Sequence, residues 1–326
     1  MIISRSPLRI TLGGGGTDLP SYYKKNSGFT LSAAINKYVY IAIHKTFEDG
    51  FFLKYSNYEN KKEINTIKHP LIREALKITK TKDKNLQIVS IADIPAGTGL
   101  GSSASFTTAL LKGLYYNQNK DISKKDLAEQ ASKIEINILK EPVGKQDQYI
   151  ASHGGLRIFK YLRNGNVKIL KTNIKKEIIN NLEKNLVLYF TGFSRKSSVI
   201  LNEQDIKTKR KNKEMIKNLD FVKQLGIDSL KSLQKGDFKE FCRILREHWE
   251  YKKKRSAKMS NSYINFCYDY ALKNGAMAGK LVGAGGGGFL MLYTQNKKKL
   301  HNFLKKKKVK KIDFKFDYNG TKILVR

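Results

Sequence analysis

Gly97, Gly99 and Gly101 fall within five residues, followed at once by Ser102, Ser103 and Ser105; this is the spacing in the chain that most directly suggests chemistry. An apolar run, Leu86 to Ile94, precedes them and predicts a strand, while Phe106, Ala109, Leu110, Gly113 and Leu114 follow on one helical face. A strand, a glycine-rich turn and a helix start together make an anion site. Glycine lets the backbone approach closely with its N–H groups turned inward, and the helix dipole favours negative charge. The polyphosphate of a nucleotide is the expected occupant. A Walker loop needs Lys after its last glycine, and Ser102-Ser103 stand there instead. Gly99, Gly101 and Ala104 do satisfy the dinucleotide pattern G-x-G-x-x-A, with Asp121 about 20 residues on. An NAD(P)-dependent dehydrogenase is therefore a rival of a different class, against which the doubled serine and the start at Pro95 both count. A protein-kinase glycine loop lies between two strands, not at a helix start. A plain Gly/Ser helix cap accounts for Ser102 but not for the glycine density.

Two more glycine runs flank this one. Gly13 to Gly16 lead into Thr17, Asp18, Leu19 and Pro20, which suggests an acid presented to a ligand. Residues 283–288 hold five glycines in six positions, which costs backbone entropy and points to a close approach rather than a simple turn. The stretches Pro7–Asp18, Pro95–Ala104 and Lys280–Phe289 resemble, in order, the three signatures of the GHMP kinases (galactokinase, homoserine kinase, mevalonate kinase, phosphomevalonate kinase). The resemblance spans nearly the whole chain. Within the family, the opening Leu12 to Pro20 is most similar to the D-glycero-D-manno-heptose 7-phosphate kinases, which phosphorylate an anomeric hydroxyl.

That resemblance implies an α+β fold of two domains, with the active site in the cleft between them. The first, 1–175, would bind nucleotide and contain a left-handed βαβ element, a departure from the usual handedness. The second, 176–326, would be ferredoxin-like. It implies ATP held by Pro95, Gly97, Gly99, Leu100, Gly101, Ser102, Ser103, Ala104 and Ser105, with Mg²⁺ on Ser103 and Glu135. Asp147, in Gly144-Lys145-Gln146-Asp147-Gln148, matches the family's catalytic base, and Arg9 its basic neighbour. Glu135 stands twelve residues before Asp147, in agreement with the galactokinase spacing of metal ligand and base. Without that spacing a lone helical Glu reads as solvated, and an exposed strand Arg competes for Arg9. Asp18 would bind a sugar hydroxyl, with Gly15, Gly16 and Thr17 in the same loop and the Gly285, Gly286 and Gly287 backbone over the reacting centre. The turn Thr191 to Ser198 carries Arg195 and Lys196 among serines; it either caps the next helix or holds the remote phosphate of the acceptor. The product would be the heptose 1,7-bisphosphate, on the way to nucleotide-activated heptose for surface polysaccharide. A kinase of a free sugar such as fucose or galactose is the alternative within the family.

The bulk numbers frame these parts. A chain of 326 residues with 40% apolar content can form two domains with cores of their own. No apolar run reaches membrane-spanning length, and the strand-like Met1 to Ile3 before Arg5 does not read as a signal peptide. Cys242 and Cys267 lack CxxC spacing, so the expected compartment is the cytoplasm. A net charge of +35 would ordinarily point to nucleic acid, but the excess is mostly lysine, densest at 297–299, 305–308 and 310–311. No nucleic-acid motif accompanies it, so solvated helix faces are the expected account and no specific nucleic-acid partner is expected; a basic nucleic-acid-binding protein on a GHMP scaffold stays as a third reading. The field should still draw in anionic substrates, here a small sugar phosphate. The sequence leaves the oligomeric state open.

Strands are expected over Met1 to Leu12, Gly28 to His44 and Phe51 to Tyr58, and a helix over Pro70 to Lys80. A helix capped at Ser123 carries Leu127, Ala131, Ile134 and Ile138 inward, and a strand pair flanks Asn164-Gly165. Lys175 to Asn185 reads as a polar seam, Asn185 to Phe190 as a strand, and Val199 to Trp249 as helix broken at Gly236-Asp237. A helix over Ser262 to Lys273, a strand at Phe289 to Tyr293, a helix at Lys297 to Lys306 and strands around Ile312–Phe316 and Lys322–Val325 close the chain.

Overall fold

The computed structural model describes residues 1–192, 194, 198–307 and 309–325. The first part of the chain runs β1 (Ile2–Gly13), α1 (Pro20–Asn26), β2 (Gly28–Lys45), β3 (Gly50–Lys54), β4 (Tyr58–Lys61), α2 (Pro70–Ile78) and β5 (Asn85–Ala92). It continues through α3 (Ser102–Asn117), α4 (Lys124–Ser132), a π-helical extension (Lys133–Ile138), α5 (Gln146–His153), β6 (Leu156–Tyr161) and β7 (Val167–Lys171). The second part holds α6 (Lys176–Asn185), β8 (Leu186–Phe190), α7 (Ser198–Lys209), α8 (Lys213–Lys235), α9 (Phe238–Lys253) and α10 (Ser262–Lys273). It ends with β9 (Ala278–Leu281), β10 (Phe289–Tyr293), α11 (Lys297–Lys305), β11 (Lys310–Ile312) and β12 (Lys322–Val325).

The first sheet has the order β12-β1-β2-β5-β3-β4, with β6 on the early half of β2 and β7 beyond it. β3 and β5 pair in parallel, joined through β4 and α2. Helix α3 lies against β1 and β2, and its run Ala104 to Leu111 is buried all round, which is why its apolar residues form no narrow stripe. The second sheet has the order β11-β8-β10-β9, antiparallel throughout. Numbered within that unit the order is 4-1-3-2, with helices between its first and second and its third and fourth strands; that is the ferredoxin-like arrangement. One apolar core joins the two sheets, running from Leu8 and Ile10 to Leu188, Phe241 and Met291. The last strand returns to the first sheet, where Val325 pairs with Ile3.

Four local expectations are corrected. Phe51 to Tyr58 is a hairpin rather than one strand, because Tyr55 to Asn57 turn and Tyr58 pairs back on Lys54. The polar stretch 175–185 is helix α6; its Leu182 is buried and Ile178 and Ile179 pack on the core at helical spacing. The long helical run breaks again before Lys213, where Asn212 caps α8 by accepting from the Met215 N–H at 2.9 Å. Strand β11 stops at Ile312, while Phe314 and Phe316 stay buried and Phe316 makes a single bridge to Ile35.

Candidate active site

The glycine-rich turn sits where the sequence places it, between β5 and α3. Gly101 occupies the left-handed region (φ +80°) as the N-cap of α3, and a Cβ there would lie 3.2 Å from both Arg9 Cγ and Asp147 Oδ2. Glycine at 101 therefore lets the carboxylate and guanidinium stand against the first turn of α3. Gly97, Gly99, Gly101, Ser102, Ser103 and Ala104 line a cavity of about 390 Å³. Buried Ser102 Oγ has no hydrogen-bond partner among the described residues, so its donor is free to meet a ligand oxygen. Leu100 and Ser105 support the loop from behind: Leu100 is fully buried with its carbonyl taken by the Arg9 N–H at 3.0 Å, and Ser105 Oγ donates to Pro7 O at 2.7 Å. Pro95 is exposed outside the cavity lining.

Asp147 lies in the first turn of α5. Arg9 grips it as a fork, with Nε 2.7 Å from Oδ1 and Nη2 2.6 Å from Oδ2, and Arg9 Nη1 donates to Gly99 O. Such bidentate pairs are short and directional. Gln146 Nε2 adds a donor to Asp147 Oδ1 at 3.0 Å and also reaches Thr11 Oγ1 at 2.8 Å. The result is a carboxylate of fixed orientation that still faces the cavity.

Glu135 hangs from the π-helical extension of α4, a distortion that recurs at functional sites. It is buried, and Ser103 Oγ and Gln148 Nε2 donate to its two oxygens. Burial is the main force pushing its carboxyl up to about 7, with the nearby Asp147 charge adding to it and the two donors opposing. A buried carboxylate touching a hydroxyl at the start of α3 suits a hard cation. Among the described residues no group of three or more His, Cys, Asp or Glu could hold a metal, so a cation here would take its remaining ligands from phosphate and water.

Asp18 lines the same cavity. Gly16 N–H donates to its Oδ1 at 3.1 Å and Gln146 N–H to its Oδ2 at 3.2 Å, while burial first and the Asp147 charge second raise its pKa. Gly15 and Gly16 line the same cavity, whereas Thr17 is buried behind it with Oγ1 tied to Gly14 O and Phe29 O. The third glycine run reaches the cavity through Gly283 and Ala284. Gly285, Gly286 and Gly287 stand away from the lining; Gly286 N–H donates to Met259 O, and a Cβ on Gly285 would strike Met259 Sδ at 2.1 Å. This run instead clasps the 97–101 turn, since a Cβ on Gly283 would lie 2.3 Å from Gly99 O. Arg195 and Lys196 lie outside the described residues.

The sequence reading missed two walls of the cavity. One is apolar, built by Val39, Leu71, Ala92, Ile94 and Phe106 with His69, whose ring lies 5.1 Å from that of Phe106. The other is basic: His248, Lys252, Arg255 and Lys280, all buried. His248, Lys252 and Arg255 recur at i, i+4 and i+7 among the core positions of α9 and the turn after it. That periodic basic face was the signal available.

Residues 65–155 match the family description "GHMP kinases N terminal domain" and residues 229–309 match "GHMP kinases C terminal". A D-glycero-alpha-D-manno-heptose 7-phosphate kinase of Campylobacter jejuni is 31% identical over 335 residues, covering 98% of each chain. A galactokinase of Pyrococcus furiosus is 24% identical, covering 91% of this chain and 90% of its own. Among solved structures, a D-glycero-D-manno-heptose 1-phosphate kinase from Bacteroides thetaiotaomicron superposes with a TM-score of 0.83 at 28% identity, over 100% of this chain and 99% of that one. A Lactococcus lactis galactokinase complexed with galactose, at 15% identity and TM-score 0.80 over 99% and 95%, shares the fold. Fold and relatives together define an ATP-dependent phosphotransferase. The chain belongs to the GHMP kinase family and has that family's two-domain fold.

Proposed function

We propose that the protein transfers the γ-phosphoryl group of ATP to the anomeric hydroxyl of D-glycero-D-manno-heptose 7-phosphate, giving the 1,7-bisphosphate and ADP. The observation that carries this reading is the Arg9–Asp147 fork, held between the phosphate loop at Gly99–Gly101 and the acceptor loop at Gly16–Asp18. The choice of acceptor rests on the full-length relative of that name.

Phosphoryl transfer needs positioned phosphates, charge neutralisation and an aligned hydroxyl more than it needs covalent help. On this reading the backbone and hydroxyls of 97–104 hold the triphosphate, and the apolar wall around Phe106 takes the flat base. Ser103 and Glu135 would hold Mg²⁺, which when bound neutralises charge on the β- and γ-phosphate oxygens. Asp147 takes the proton of the attacking hydroxyl as its oxygen bonds to phosphorus and the bond to ADP breaks. Arg9 keeps the carboxylate aimed, and Asp18 orients the sugar. We assign residues 1–175, together with the returning strand β12, to the nucleotide-binding unit and the remainder of 176–326 to the second. Both cysteines are buried free thiols, and we place the reaction in the cytoplasm.

The test is a panel of ATP with heptose 7-phosphate, heptose, fucose and galactose, read as kcat/KM. Heptose 7-phosphate should lead by roughly tenfold or more, since each charge-assisted hydrogen bond to a phosphate contributes about 1.5–3 kcal/mol. Equal or better use of a free sugar contradicts the phosphorylated acceptor and leaves a free-sugar kinase.

A further inference from the structure

The basic wall of the cavity carries more buried donor capacity than the described protein groups satisfy. Arg255 is 3% exposed, and its Nε donates to Asn218 Oδ1 at 3.0 Å and its Nη1 to Gly15 O at 2.9 Å. Its buried Nη2 has no partner among the described residues. His248 is likewise 3% exposed, with Nδ1 2.8 Å from Lys280 Nζ. His248 Nε2 also lacks a described partner, and it is the protonated ring nitrogen when Lys280 is the donor to Nδ1. Buried donors of this kind normally find an acceptor, and each one left unmade is costly.

Charge points the same way. Lys280 and His248 both have their pKa values driven well down, first by burial and then by their cationic neighbours. Arg255 is pulled down to about 10 by burial, with Asp18 the main carboxylate opposing it. Lys252 spends two bonds on Leu281 O and Gly283 O, at 2.7 and 2.6 Å, which ties this wall to the third glycine run. Among the described residues Asp18 is the main negative charge acting on this wall, and an anion would relieve both the electrostatic strain and the orphaned donors.

Position distinguishes acceptor from nucleotide. Arg255 is bonded to the acceptor loop at Gly15, and a Cβ on Gly16 would lie 2.4 Å from its Nη1. The triphosphate loop is served by a different arginine, Arg9, through Gly99. We propose that Arg255 and His248, backed by Lys280 and Lys252, bind the phosphate that the sugar acceptor already carries and so select a phosphorylated acceptor. This assignment rests on the reading of the acceptor as a sugar phosphate.

The experiment measures kcat/KM for heptose 7-phosphate and for dephosphorylated heptose in the parent, Arg255→Gln, Arg255→Lys and His248→Gln. Inhibition by inorganic phosphate against heptose 7-phosphate is measured alongside. Loss of a donor to the phosphate should cut the preference for the phosphorylated sugar by roughly ten- to hundredfold. Arg255→Lys should recover part of it, and competitive inhibition by phosphate should weaken in each glutamine variant. A purely structural role would lower activity on both sugars alike and leave the ratio intact, and that result overturns the assignment. So does a rise in KM for ATP with the ratio unchanged, which would move the site to the nucleotide. Should Arg255→Gln not fold, the ratio in His248→Gln decides. A parent that shows no preference contradicts the sugar-phosphate reading itself, whereas a parent preference that survives every variant contradicts only these residues.

Discussion

Asp147 gains its setting from four neighbours: Arg9 from β1, Gln146 beside it, Gly101 at the start of α3 and Asp18 across the acceptor loop. If it removes the hydroxyl proton, Asp147→Asn should lower kcat by roughly 10²–10⁴-fold while ATP binding stays within a few-fold of the parent. A kcat close to the parent's would take the role from it. Glu135 makes a separate prediction through pH. Its pKa is about 7 in the fold against an ordinary 4.5, so between those values the folded state keeps a proton that the unfolded state has lost. The associated stability is full below pH 4.5 and is lost as pH rises through 7, at a cost of about 3 kcal/mol once the group is charged. Metal-free Glu135→Gln, followed by urea unfolding in chelator, should escape this decline between pH 5 and 8. Parallel curves for variant and parent would mean that burial does not strain Glu135.

At the scale of elements, the two later glycine runs act as a pair. The turn at 97–101 and the run at 283–288 approach so closely that Gly283 (φ +70°) has Gly99 O where a side chain would start. Gly283→Ala should cost about 1–3 kcal/mol in backbone strain alone, and should also displace the phosphate loop. Gly275, also at positive φ (+105°) but with open space around it, supplies the control. KM for ATP should rise in Gly283→Ala and stay put in Gly275→Ala, with both variants destabilised; equal KM values would leave the clasp without a role in nucleotide binding. These loops were legible in the sequence because a glycine cluster between an apolar strand and a helix is a local pattern. Asp18, Glu135 and Asp147, singled out by their match to a known family, do meet at one cavity. Helix α6 was not legible, since its many polar residues hid the Ile178, Ile179 and Leu182 face that packs on the core.

At the scale of the whole molecule, the parts that escaped the sequence are those assembled from distant segments. The basic wall joins residues 248–255 and 280 to an acceptor loop at 15–18, and no spacing along the chain announces that meeting. The return of β12 to pair with β1 is a similar long-range event, set by an edge left open on the first sheet. The net charge of +35, by contrast, is spread along the chain, and helix pairs such as Lys207–Glu203, Lys209–Asp205 and Lys231–Asp228 account for none of it, because each pair is neutral. What unites the fold is one cavity lined by the glycine-rich 97–101 turn, the acids Asp18, Glu135 and Asp147, and the basic wall. On the proposed reading, this cavity joins the γ-phosphoryl group of ATP to an anomeric oxygen. A ³¹P NMR time course with ATP, Mg²⁺ and heptose 7-phosphate tests it most directly. One new sugar-phosphate resonance coupled to the anomeric proton should grow in step with ADP, with the 7-phosphate signal retained. ADP formed without that resonance, or phosphate appearing on any other hydroxyl, would contradict the account.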